Sequence, residues 1–331
     1  MGFFSNEHEG RLRALWRLLF QAALYFAVQV TVGVFALVVL ALLSGDVPVL
    51  EGEGVGLGSS PTALILSGLS SLVAALASVW FAGRFFDRRP FSGFGLKLNR
   101  DWWLDFGFGL LLGMLLMTGI FLVELAAGWV RITDTMATAH GTSPFLPAIL
   151  APLVLFLCVG FGEELVSRGY QLKNMAEGLN YPSIGARGAI LLAWVLSSSV
   201  FGVAHLANPG STLVSTVNIA FAGLLLGVGY VLTGRLAISI GLHITWNFFQ
   251  GNVFGFPVSG MNDVGASLIE INQGGPTFLT GGAFGPEAGL VDIAATVAGS
   301  LLIVLWVRLR SGKVALQTSL VEPPIRKREA S

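Results

Sequence analysis

Glu163 and Glu164 stand side by side in the apolar run GFGEELVSRGYQ, His205 lies in VFGVAHLANPG, and His243 and Asn247 lie in GLHITWNFFQG. Carboxylates and imidazoles exchange protons, so a set of them in apolar surroundings could relay protons or take part in a reaction. An ionisable side chain inside a membrane span costs about 2.5–3.5 kcal/mol on insertion scales, so each one asks for a role. Spacing sorts the set. His243 and Asn247 are four apart and share one helix face, and so do Phe201 and His205. Glu164 and Arg168 form an acid-before-base pair at the same interval. Glu163 points about 100° away from Glu164 around a helix, so the two acids have different tasks. Each feature alone has a bland explanation. Glu164–Arg168 reads as a structural ion pair near an interface, a lone histidine as a hydrogen bond between helices, and Asn247 as interhelical glue. Trp102, Trp103 and Trp246 read as belt or packing residues. Two histidines, two glutamates and an asparagine together exceed what simple pairing needs.

The elements that must carry these residues are membrane spans. Of 331 residues, 54% are hydrophobic and 11% are charged, less than half the roughly 25% charged residues of a soluble domain. The 43 glycines follow no repeat and suit close helix packing in a bilayer. Net charge is zero, which argues against a nucleic-acid partner. The one cysteine, Cys158, excludes an intrachain disulfide and a cysteine metal cluster. The first apolar run is too long for a cleavable signal sequence and reads as a span.

Apolar stretches place eight spans near 16–43, 61–83, 104–129, 147–170, 188–207, 213–232, 236–254 and 288–308. All but Arg131 of the 19 Lys and Arg residues then fall on one side, which puts both termini in the cytoplasm. The expected fold class is an all-α polytopic bundle. Its regions are 1–146, with three spans; 147–255, a core holding the polar set; and 256–331, with an external loop, the last span and a basic cytoplasmic tail. The acidic connector 51–60 and the Gly-rich segment 251–289 face outside, the latter as a tether or a lid. The end of the tail, 318–331, reads as a solvated extension. For Glu163 and His205 to sit level, the fourth helix must run past the membrane surface to about residue 178.

At these residues the chain resembles the CPBP family of membrane proteins, which groups type II CAAX prenyl proteases with bacteriocin-processing and bacteriocin-immunity (Abi) proteins. The family pattern EExxxR is met by Glu163-Glu164-Leu165-Val166-Ser167-Arg168, FxxxH by Phe201-Gly202-Val203-Ala204-His205, and HxxxN by His243-Ile244-Thr245-Trp246-Asn247. Each is weak alone; in order, about 40 residues apart and each in an apolar span, they are specific. The resemblance implies proteolysis of a membrane-associated substrate in the cytosolic half of the bilayer. It implies Glu163 as general base, assisted by His205, with His243 and Asn247 stabilising the oxyanion and with Glu164, Arg168 and Phe201 in support. Such donors act strongly in a low-dielectric site. It also raises a metalloprotease reading, in which Glu163, His205 and His243 would hold zinc with water as a fourth ligand. The three would come from three separate spans, and no HExxH helix exists.

The expected activity is therefore an intramembrane endopeptidase acting by glutamate-activated water on a prenylated CAAX-type or bacteriocin-like substrate, in a bacterial plasma membrane. The expected partners are that peptide or protein substrate and the lipid bilayer. Two alternatives use the same residues: a non-catalytic bacteriocin-immunity or binding scaffold, and a proton-coupled transporter. The latter lacks the paired broken helices such proteins show.

Overall fold

The computed structural model describes residues 3–6, 9–44, 60–138, 144–262 and 264–324. The acidic stretch 51–59, His8, His140 and the basic end 325–331 lie outside the described residues. Helices dominate: α1 (Ala14–Ser44), α2 (Pro61–Ala82), α3 (Arg100–Ala126), α4 (Phe145–Glu164), α5 (Lys173–Leu179), α6 (Gly185–Ala204), α7 (Leu213–Thr233), α8 (Ala237–Phe248), the short α9 (Thr277–Thr280) and α10 (Leu290–Ser311). Their starts follow local chemistry. Ser60 caps α2 by accepting from the Ala63 amide, with Pro61 in the first turn. Asn99 caps α3 through the Trp102 amide, and Thr212 and Ser215 form a reciprocal capping box on α7. Gly234, at φ 68°, makes the left-handed turn from α7 to α8 that a side chain would strain.

Among the described residues, seven helices are long and apolar enough to cross a membrane, and the protein is an integral membrane protein with an all-α polytopic bundle. The sequence suggests eight. The stretch expected as the seventh span, 236–254, is a 12-residue α-helix extended by a five-residue π-helical segment, Phe249–Val253. Ala237 to Ile244 are all buried. Enclosed by neighbours, α8 need not match the bilayer width. Its closest neighbour is α3: a Cβ at Gly109 or Gly113 would overlap the α8 backbone, and one at Gly241 would overlap α3. The Thr245 hydroxyl also donates to the Leu110 carbonyl at 2.8 Å. Small residues thus fix the depth of the helix that carries His243.

The fourth span runs through α4, a π-helical stretch (Leu165–Leu172) and α5 to Leu179, as the levelling of Glu163 with His205 requires. The segment after α8 is not a loose tether. Strand β4 (Ala266–Gln273) pairs antiparallel with β3 (Val130–Thr138), joining two connectors that the sequence reading left without regular structure. Gln273 ties this sheet to α3 through Glu124 at 2.8 Å.

A two-residue ribbon, β1 (Ser5–Asn6) with β2 (Arg11–Leu12), precedes α1. Beside it Arg11, Arg17 and Arg89 close around Asp87 and Glu177, with Arg17 Nη1 at 2.6 Å from Asp87 and Arg11 Nη2 at 2.8 Å from Glu177. The segment after α10 returns to this face, where the Gln317 amide donates to the Val231 carbonyl at 2.8 Å and Leu320 and Val321 are buried. The solvated extension expected from 318 onward is corrected for 318–322. Two apolar side chains flanked by polar ones are enough to seat it against α5 and α6.

Candidate active site

The first motif sits where α4 changes its winding. The π-helical stretch begins at Leu165, immediately after the two glutamates, and such widened turns concentrate at functional sites. Glu164 is fully buried. One of its oxygens, Oε1, accepts from Arg168 Nη1 at 2.8 Å and from His243 Nδ1 at 2.9 Å. Arg168, also buried, donates to the Gly223 carbonyl at 2.9 Å and stacks 4.4 Å from the Phe201 ring centre. A buried guanidinium thus joins the first motif to the second, and a buried carboxylate joins the first to the third. Glu164 does more than the ion pair read from its spacing: it orients the histidine of the third motif.

Glu163 faces the other way, into a cavity of about 970 Å³ that is also lined by His205, His243, Asn247 and Trp246. Its side chain keeps 32% of its exposure, and its Oε2 lies 4.0 Å from His243 Nε2 with no hydrogen-bond partner. That gap is too long for a hydrogen bond and short enough for both groups to reach one water or one substrate oxygen. His205 ends α6. Its Nδ1 lies 2.8 Å from the Phe201 carbonyl and must be the protonated nitrogen, since a carbonyl only accepts. In the neutral ring Nε2 is then a free acceptor. Glu163 and His205 line the same cavity, with His243 Nε2 4.0 Å from Glu163 and the Phe201 ring packed on His205 at 4.7 Å between centres. Asn247, 8% exposed, shares the cavity-facing side of α8 with His243.

Among the described residues no group of three His, Cys, Asp or Glu side chains is arranged to hold a metal ion. Glu163, His205 and His243 line one cavity, and Glu164 holds His243 at Nδ1, leaving Nε2 4.0 Å from Glu163 Oε2.

Several lining residues escape a reading of the sequence. Glu287 belongs to the connector before α10 and lines the cavity. It accepts from the Ser259 amide at 2.6 Å and from the Ser259 hydroxyl at 3.0 Å, and Asn208, three residues after His205, donates to the Ser259 carbonyl at 3.0 Å. Burial pushes the Glu287 carboxyl above its ordinary range, against the opposing pull of the Ser259 donors, Gln250 and the nearby His205. An acid in a Gly-rich connector gives no anomaly to notice, so its sequence carries no signal. Tyr25 on α1 faces Ser71 and the charge of Glu163, and it too looked like an ordinary span residue.

Comparison with known proteins bears on the same residues. The family model for type II CAAX prenyl endopeptidase Rce1-like proteins matches residues 145–249. An uncharacterized protein of Bacillus subtilis (strain 168), YyaK, is 26% identical over 179 residues, which cover 53% of this chain and 56% of that protein. The chain thus spans little more than half the length of this curated relative. No solved structure matches. The matched stretch contains all three motifs and the whole Glu164–Arg168–His243 network, so the similarity to Rce1-like CAAX proteases falls on the candidate site itself.

Proposed function

We propose that the protein is an intramembrane endopeptidase in which Glu163 activates water against a peptide bond of a membrane-associated substrate. The observation that carries this reading is the split between two adjacent acids. Glu164 is fully buried and engaged by Arg168 and His243, while Glu163 has no guanidinium partner among the described residues and its side chain, 32% exposed, lines the cavity that holds the histidines.

In the proposed reaction Glu163 takes a proton from water as its oxygen bonds to the scissile carbonyl carbon. His205, with Nε2 free to accept, assists that transfer. The carbonyl oxygen becomes an oxyanion that accepts from the Asn247 carboxamide and from Nε2–H of a doubly protonated His243 ring, whose Nδ1–H Glu164 holds. The carbon–nitrogen bond then breaks, Glu163 returns its proton to the leaving amine, and a carboxylic acid and an amine result. The substrate class proposed is a prenylated CAAX-type or bacteriocin-like peptide, entering from the cytoplasmic leaflet of a bacterial plasma membrane. The charge asymmetry of the connectors supports that orientation.

The test is purified protein with a labelled farnesylated CAAX peptide. Wild type cleaves it, while Glu163→Gln does not and still inserts and folds. A wild type that binds the peptide without cleaving it favours the scaffold reading. If Glu164→Gln keeps its fold and loses all activity while Glu163→Gln retains it, the two acids have the opposite roles.

A further inference from the structure

Helix α1 is the least embedded of the spans: 6% of its apolar window is buried, against 67% for α7. A helix so placed meets mostly lipid and should be apolar throughout. Yet Gln21, Tyr25 and Gln29 recur at intervals of four, on one face, and all three line the cavity. Gln21 is fully buried; its amide donates to Ser78 on α2 at 3.2 Å, and its Oε1 has no partner. Gln29 Oε1 is likewise buried without a partner. Buried unpaired acceptors each cost about 1–3 kcal/mol, so these oxygens await a donor. Elsewhere the lining includes Val200 and Ala204 on α6 and Ile219, Leu225 and Leu226 on α7, all apolar.

Four residues of α-helix advance about 6 Å, and two residues of an extended chain advance about 6.6 Å. A face carrying polar groups at that interval therefore meets the main chain of an extended peptide at every second residue. From this we infer that Gln21, Tyr25 and Gln29 form a track that binds the main chain of the substrate in extended conformation. Tyr25, beside the charge of Glu163, stands at the scissile bond, and the two carboxamides hold residues on either side of it. Such a track recognises backbone, and the apolar lining is left to the substrate's side chains. The inference rests on the endopeptidase reading and adds the conformation and register of the substrate.

The experiment uses the full-length protein and the farnesylated CAAX peptide, with single N-methylated peptide bonds placed along it. Gln29→Leu should raise KM about tenfold with kcat held, the effect of one lost hydrogen bond. N-methylation about two residues from the cleaved bond, on the Gln29 side, should raise the wild-type KM similarly and add nothing in Gln29→Leu. Full additivity, or a KM indifferent to both changes while cleavage proceeds, overturns the track and leaves the protease reading standing. A second readout is photocapture of the same peptides in Glu163→Gln, with benzophenylalanine replacing Ala22, which lines the cavity beside Gln21. Capture that weakens on N-methylation, without cleavage by wild type, supports the track and defeats the protease reading. A peptide neither cleaved nor captured defeats both.

Discussion

Two buried charge networks lie at different places in this molecule, and their composition differs. Where the ribbon meets α1 and α5, Asp87 and Glu177 meet Arg11, Arg17 and Arg89, so anions are surrounded by cations drawn from the ribbon, α1 and the turn after α2. In the cavity wall, Glu163 and Glu164 share one guanidinium, that of Arg168, and it goes to Glu164 alone. In the first network each of the two carboxylates is paired with a guanidinium, and helices are joined. The second leaves one carboxylate over, and that carboxylate is the one open to the cavity. An acid with no cation of its own is costly in an apolar bundle; one kept there beside two histidines is the natural candidate for chemistry.

The sharpest way to break this contrast is Glu163→Gln, which keeps the volume and removes the base. Peptide cleavage should fall by about 10²–10⁴-fold while the thermal midpoint stays near wild type. A large loss of stability would mean that Glu163 is as structural as Glu177. Next comes Arg168→Met, which leaves Glu164 buried and uncompensated. It should destabilise the protein by about 3–5 kcal/mol and remove activity as well, because His243 loses a fixed partner. Survival of activity in a folded Arg168→Met protein would detach the network from the site. On the other side, Glu177→Gln should cost about 1–3 kcal/mol of stability and leave kcat unchanged in the folded fraction. A fall in kcat there would erase the distinction between the two networks.

A smaller effect concerns Glu287. Its carboxyl is raised by burial in the folded protein, so the folded state binds more protons than the unfolded state. Stability from this group is therefore present at low pH and declines as pH rises from the unfolded value of about 4.3 toward the higher folded one. In a Glu287→Gln protein that decline should vanish from the pH dependence of the thermal midpoint. An unaltered profile would place the titration elsewhere. Topology has no energetic effect but a clear readout: a cysteine replacing Phe278, 63% exposed in the segment before α10, should react with an impermeant reagent added outside intact cells. Reaction only after permeabilisation would invert the orientation drawn from the Lys and Arg distribution.

The membrane character and the positions of the polar set could be read directly, because both depend on composition along the chain. A glutamate pair, two histidines and an asparagine stand out against Leu, Val and Phe whatever the fold. The pairing of Glu164 with Arg168 followed from helix spacing alone. Its second bond, to His243, joins residues 79 positions apart and depends on how α8 seats against α4, so no local pattern foretold it. The same holds for Glu287 and Tyr25. Acids in connectors and tyrosines in spans are ordinary, and only the approach of their segments to the cavity distinguishes them.

Hydrophobic run length identified the membrane helices, but a run of apolar residues does not say whether lipid or protein surrounds it. For α8 it is protein, with glycines on α3 allowing the contact, and a helix so enclosed can be shorter than the bilayer is thick. The docking of Leu320 and Val321 was hidden for a related reason: two apolar residues are too few for a periodic signal but enough to fill a surface groove. Sequence alone thus determined which residues could not rest in lipid without a purpose. Only tertiary structure decided which of them are paired and which one, Glu163, is left facing the cavity, because pairing depends on distances between helices remote in the chain.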